Sequence, residues 1–160
     1  MRMTRDTKDN ILMSIVGIVF LLNMLLLSNV LVRTAPAIEE LVVLGWTLLV
    51  VGALFVILSV LTLRKKGITS FTDSGVYGIV RHPMYVGGMM MFLSHIFFGQ
   101  DWIIAVSTLV GVYCCYLLIQ SEDQQIVEKF GDEYGRYMQT VPRTNFIVGI
   151  MRVLRRGKGK

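Results

Sequence analysis

The sequence predicts an all-α integral membrane bundle. It has four transmembrane helices, the third and fourth paired as an antiparallel hairpin, and then a C-terminal amphipathic cytoplasmic helix. Three observations carry this. Hydrophobic residues make up 54% of the chain, above the usual share for a soluble domain. They gather into long blocks without charge, and the basic residues collect at the block borders. At 160 residues the chain is one domain by length, with 1–64 supplying two N-terminal spans and 65–160 the hairpin and C-terminal segment.

Ile11 to Val32 runs 22 residues without a charge and Leu41 to Leu63 runs 23. About 20 apolar residues cross the ~30 Å hydrocarbon core as helix, so both blocks span. Basic residues precede the first block, as in a signal peptide. Its apolar core is longer than an h-region, however, and no small-residue cleavage site follows, so it is expected to be a retained helix. These two spans are placed at 10–32 and 41–63, with Pro36 breaking the connection. Lys66 to His82 is a long loop rich in Gly, Ser and Thr, with "TDSG" as its turn.

The third helix, 83–99, is the odd one, rising only about 25 Å. Pro is favoured at the first helical position, which puts His82 at the N-cap. The free N–H groups of that helix start lie beside Arg81 and suit a carboxylate. Gly99 to Asp101 permits only a tight turn, so helix four, 102–120, returns antiparallel. Beyond Gln120, residues Ile126, Phe130, Tyr134, Tyr137 and Val141 recur at three or four, one face of a helix. Such a helix can fold back over the cytoplasmic mouth. Ser121 with Gln124 fits a capping box at its start, unless helix four simply continues.

The net charge of +5 follows the membrane rather than a nucleic acid. Arg2, Arg5 and Lys8 precede the first block, and Arg64, Lys65, Lys66 and Arg81 separate the second from the third. The opposite loops carry one Arg against two Glu, and one Asp. By the positive-inside rule both termini are cytoplasmic, and the ending "RRGKGK" can meet anionic headgroups. Cys114 and Cys115, adjacent inside the fourth block, imply neither a disulfide framework nor a zinc site. No metal is expected.

Arg81-His82-Pro83-Met84-Tyr85 has a plain explanation as a juxtamembrane anchor, in which Arg snorkels, Tyr joins the aromatic belt and Pro starts a helix. Glu122-Asp123 alone reads as a solvated acidic pair. The hairpin, however, brings both groups to one depth, where cations can hold the carboxylate of a zwitterionic ligand and acids its ammonium. "FGDEYGRYMQTVPR", 130–143, is either a packing helix ending before Pro142 or a lid whose Arg143 contacts a polar ligand group. Asn23 and His95 are expected to hydrogen-bond between helices. Met89 to Met91 read as packing or lipid-facing surface. Gly87-Gly88 reads as a close helix contact, since no strand precedes it as a nucleotide loop requires.

Taken together, "GVYGIVRHPMYVGG", an acidic pair about forty residues on, and "FGDEYGRYMQTVPRTNFIVG" resemble one family. It comprises the membrane methyltransferases that include isoprenylcysteine carboxyl methyltransferase and the phospholipid methyltransferase-like proteins of bacteria and archaea. The resemblance covers about half the chain, Gly75 to Gly149, and helices one and two match only in being apolar. It implies S-adenosyl-L-methionine as methyl donor, bound in a cytoplasm-facing pocket. His82, Tyr85 and Glu122 would belong to the cofactor site, with backbone contacts along Tyr77, Val80 and Arg81.

Two departures stand out. The family often has Glu-Glu where this chain has Glu122-Asp123. The prenylcysteine enzymes carry an Arg shortly before the acidic pair, whereas Tyr116 to Ser121 reads "YLLIQS", which weakens that assignment and leaves methyl transfer standing. The expected catalytic set is Glu122, Asp123 and Arg143. Glu122 and His82 fix the donor, Arg143 or Asp123 orients the acceptor, and Asp123 is the nearest base should the acceptor be an amine. The acceptor is lipophilic, a prenylcysteine-like carboxylate or a lipid headgroup, entering from the bilayer. The rivals are a membrane reductase using NADPH, since sterol reductases share an Arg-His-Pro region within a longer chain of more spans, and a non-enzymatic helical scaffold.

Overall fold

A computed structural model of the chain describes residues 4–33, 38–66 and 73–157. Its helices are α1 (Arg5–Arg33), α2 (Glu39–Lys66), α3 (Pro83–Gly99), α4 (Trp102–Phe130), α5 (Asp132–Thr140) and α6 (Phe146–Gly157), with a 3-10 turn at Gly75–Gly78. No strand occurs among the described residues. Three segments, Arg5–Asn29, Glu39–Lys65 and Trp102–Phe130, are long and apolar enough to cross a membrane, and α3 is a shorter apolar helix. The break expected at Pro36 and the start of the "TDSG" turn lie outside the described residues.

The long helices overrun their apolar blocks. Asp6 in the first turn of α1, and Glu39 and Glu40 in that of α2, complement the positive N-terminal end of the helix dipole. At α4 the overrun corrects an expectation. No capping box forms at Ser121, because the helix continues to Phe130; Ser121 Oγ instead donates to Asp9 of α1 at 2.7 Å. The single amphipathic helix expected in the tail is therefore divided. Gly131, at φ 57° and ψ −134°, adopts backbone angles that essentially only glycine tolerates, and α5 starts anew. The aromatic face survives the break: Tyr134, Tyr137 and Val141 are buried together, with Ile126 and Phe130 packed on them.

His82 caps α3 and Pro83 follows at its first position, as the sequence predicts. Gln100 closes α3 with φ 45°. Asp101 then starts α4 by accepting from the N–H groups of Ile103 and Ile104 at 2.8 and 3.3 Å, a cap worth about 1 kcal/mol.

α2 packs on α3, α3 on α4, and α1 on α4 and α3. Glycine makes the first contact possible. A Cβ on Gly87 would stand 2.5 Å from the carbonyl oxygen of Gly52, and one on Gly52 2.6 Å from that of Gly87. Asn23 joins α1 to α4 by donating to Thr108 Oγ1 at 2.9 Å and accepting from Ser107. His95 departs from expectation: its Nδ1 meets the Phe92 carbonyl of its own helix at 3.1 Å, and its contact with α1 is the ring of Phe20. Val43, Trp46, Val50, Leu54, Ile57 and Leu61 stay exposed along α2, a stripe suited to acyl chains.

Candidate active site

The start of α3 meets α4 at Asp123, about two turns before α4 ends at Phe130. Asp123 is 2% exposed, and it gathers four side chains from three parts of the chain. Its Oδ1 accepts from His82 Nε2 and the Tyr134 hydroxyl, both at 2.8 Å, and from Arg81 Nη1 at 3.3 Å. Its Oδ2 lies 2.8 Å from Arg143 Nε, an ion pair out of line for a hydrogen bond. A carboxylate this deep is tolerated because cations and donors surround it.

His82 sits between the two acids, with Nδ1 3.6 Å from Glu122 Oε2. Burial pulls its pKa down, but the hydrogen bond to Asp123 and the nearby Glu122 carboxylate outweigh burial, and the pKa is raised. The imidazolium therefore persists to higher pH than it would in a free imidazole.

The C-terminal segment frames these groups through backbone. The Arg81 N–H donates to the Pro142 carbonyl at 3.0 Å, and the His82 N–H to that of Arg143 at 3.4 Å. The Tyr137 hydroxyl donates to the Tyr77 carbonyl at 2.7 Å. Arg152 of α6 donates to the carbonyls of Thr140 and Gly78. Burial, and then the charge of Glu122, pushes the Tyr77 pKa up to about 12. Burial likewise raises those of Tyr134 and Tyr137. All three phenols stay neutral donors at ordinary pH.

Beside this cluster lies a cavity of about 490 Å³, within the range of small-molecule sites. Tyr77, Arg81, His82, Glu122, Tyr134 and Tyr137 line its polar end. Met13 and Val16 of α1, Met84 and Phe92 of α3, and Cys115 and Leu118 of α4 continue it as an apolar wall. Met13 and Met84 remain 59% and 39% exposed, so the apolar end is open between α1 and α3. Polar contacts hold the head of α1 over this space. Arg5 pairs with Glu128 at 2.7 Å, and Asp9 accepts from Ser121 and Gln125 at 2.7 and 2.9 Å.

Two buried atoms on the polar wall have no hydrogen-bond partner among the described residues: Glu122 Oε2, an acceptor, and Arg81 Nε, a donor. Buried polar atoms are normally matched; Oε2 has only its 3.6 Å ion pair to His82, so an acid and a cation with spare bonding capacity share this wall.

The structure brings Tyr77, Arg81, His82, Tyr85 and Glu122 to one cavity wall. The side chain of Val80, expected to contribute through its backbone, is fully buried with Val86 and Met90. Asp123 and Arg143 stand behind the wall and border a separate, more open cleft with Gln120 and Gln124. The lining residues Met13, Val16, Leu63, Phe92 and Cys115 escaped sequence reasoning, since an apolar residue facing a cavity has the same signature as one facing lipid.

The family model for phospholipid methyltransferases matches residues 40–133, more than half the chain. The chain belongs to the phospholipid methyltransferase family. The match takes in α3, all of α4 and every expected site residue except Arg143. Among curated proteins, a methanethiol S-methyltransferase of Pseudomonas deceptionensis is 32% identical over 115 residues, covering 61% of this chain and 40% of that protein. The chain thus spans well under half the length of this relative. No solved structure matches it. The family resemblance in the sequence motifs is borne out, and α1, α5 and α6 complete the site largely from outside the matched range.

Proposed function

We propose that this family member is an S-adenosyl-L-methionine-dependent methyltransferase acting on a lipophilic acceptor at the membrane surface. The supporting observation is an acid and a cation at the cavity's polar end, Glu122 and Arg81, each with a buried atom, Oε2 and Nε, that makes no hydrogen bond among the described residues. The amino-acid end of the donor offers the complement, an ammonium and a carboxylate. When bound, that donor supplies a methyl group on a sulfonium, an electrophile whose transfer needs no covalent enzyme intermediate.

The chain's own residues then bind, orient and exclude water. Glu122 takes the ammonium, while Arg81 and the start of α3 take the carboxylate. His82, between Glu122 and Asp123 and cationic below its raised pKa, fixes the direction of the Glu122 carboxylate. Tyr85, Tyr134 and Tyr137 shield the polar end from water. Alignment of this kind contributes up to roughly 10 kcal/mol. Asp123 and Arg143 serve as support, since each is engaged behind the wall. With Asp123 engaged, Glu122 is the one carboxylate on the cavity wall among the described residues. The acceptor therefore brings its own available lone pair, as a carboxylate or thiolate does.

In this reading α3 is a fourth, short span, antiparallel to α4, in a single domain with both termini cytoplasmic. In its support, Arg5, Lys8, Arg64, Lys65 and Arg81 gather at one end of the helices, and Glu39, Glu40 and Asp101 at the other.

A second acceptor class, a small thiol, is favoured by the name of the curated relative and by the absence of the prenylcysteine enzymes' Arg. The test places the full chain in lipid nanodiscs with methyl-labelled donor and, in turn, native lipid extract, a prenylcysteine and methanethiol. Label should enter a lipid-phase product and be lost with Glu122→Gln. NADPH oxidation without label transfer would establish the reductase instead.

A further inference from the structure

We infer that α6 is an in-plane membrane helix that docks on an anionic lipid surface. Its inner face is fixed to the protein. Gly149 seats against the backbone of Ile79, where any Cβ would collide, and Arg152 donates to the carbonyls of Gly78 and Thr140. Its outer face is apolar: Ile147, Ile150, Met151 and Leu154 follow the i, i+3, i+4, i+7 spacing of one stripe and are 59%, 39%, 47% and 62% exposed.

Depth says what covers that stripe. The ring of Phe146, at the start of α6, packs edge-on against Phe55 of α2 at 5.8 Å. Phe55 precedes Arg64, the first charge after the apolar run, by nine residues, about 13 Å along the helix. The start of α6 is therefore level with lipid-facing residues of α2, and its outer face continues theirs.

Charge says which lipid. From Tyr134 to Lys160 the sequence holds no acid, and, besides Arg143 and Arg152, which are engaged within the protein, its charges are Arg136, Arg155, Arg156, Lys158 and Lys160. Arg155 lies exposed beside the stripe. An apolar face flanked by uniformly positive charge is the arrangement that binds anionic headgroups. α6 docks in this way whatever chemistry the cavity performs.

The test uses the full chain with Trp46→Phe and Trp102→Phe, so that Leu154→Trp introduces a single fluorophore. It is reconstituted in brominated phosphatidylcholine vesicles with or without phosphatidylglycerol. Emission should be blue-shifted and quenched, roughly twofold more with the anionic lipid, and the excess should vanish at high salt. Leu54→Trp in the same background should be quenched equally in both vesicles, which shows that the protein is inserted and folded. Equal quenching at position 154 in both compositions overturns the anionic preference. Red-shifted emission without quenching, or blue-shifted emission that bromine leaves untouched, overturns membrane docking; the latter would place a second copy of the chain on this face.

Discussion

Two polar clusters interrupt the apolar length of α4, and they are finished differently. At residues 107–108 the bonds close on themselves: Asn23 donates to Thr108, accepts from Ser107, and leaves no buried side-chain atom of the three unmatched. At residues 122–123 one acid is closed and its neighbour is open. Asp123 is enclosed by Arg81, His82, Tyr134 and Arg143, whereas the Glu122 side chain is 42% exposed, lines the cavity wall and has only a 3.6 Å ion pair to His82 on its Oε2. Adjacent residues on one helix point about 100° apart, which is enough to send one acid into the protein and the other toward the cavity. A closed cluster holds helices together, and an open one awaits a partner.

Breaking the closed half of the acidic pair should have the largest effect. Asp123→Asn leaves Arg81, His82 and Arg143 without their common counter-charge and should cost about 3–5 kcal/mol of stability, read as a fall in Tm in detergent or nanodiscs. Donor affinity should fall with it, because Arg81 and His82 lose their anchor. Asn23→Val, in the other cluster, should cost about 1 kcal/mol and leave donor affinity unchanged in calorimetry. A loss of affinity there would dissolve the contrast between the clusters.

The smallest effect is that of pH. The His82 pKa is raised above 6.5 in the folded state. The stability it contributes is therefore fully present below about pH 6.5 and lost as pH rises through the raised folded value. Wild-type Tm should fall across that window, and His82→Gln should flatten the slope.

Most of this architecture was legible because its signals are local. Uncharged runs located the long helices, Pro83 located the start of α3, and Gly87 marked a close approach that Gly52 completes. The site was legible where charge sits against an apolar block, at Arg81, His82 and Glu122. It was less so where burial decides. Nothing in "ED" tells which acid turns inward, and that depends on Tyr134 and Arg143 arriving from beyond Gly131. The α1 contribution was hidden for a different reason. Met13 and Val16 are ordinary span residues until Asp9 and Arg5 lock the helix over the cavity. α6 escaped because its short apolar stripe alternates with arginines that read simply as a basic tail.

The central claim is that Glu122 grips an ammonium. The most direct measurement is a binding cycle in nanodiscs, comparing S-adenosylhomocysteine with its desamino analogue on the wild type and on Glu122→Gln. Removing the ammonium should weaken wild-type binding about 10- to 100-fold, and should cost little more once Glu122 has become neutral. Equal, additive losses in the two proteins would show that this carboxylate and the ammonium do not meet, and would contradict the account.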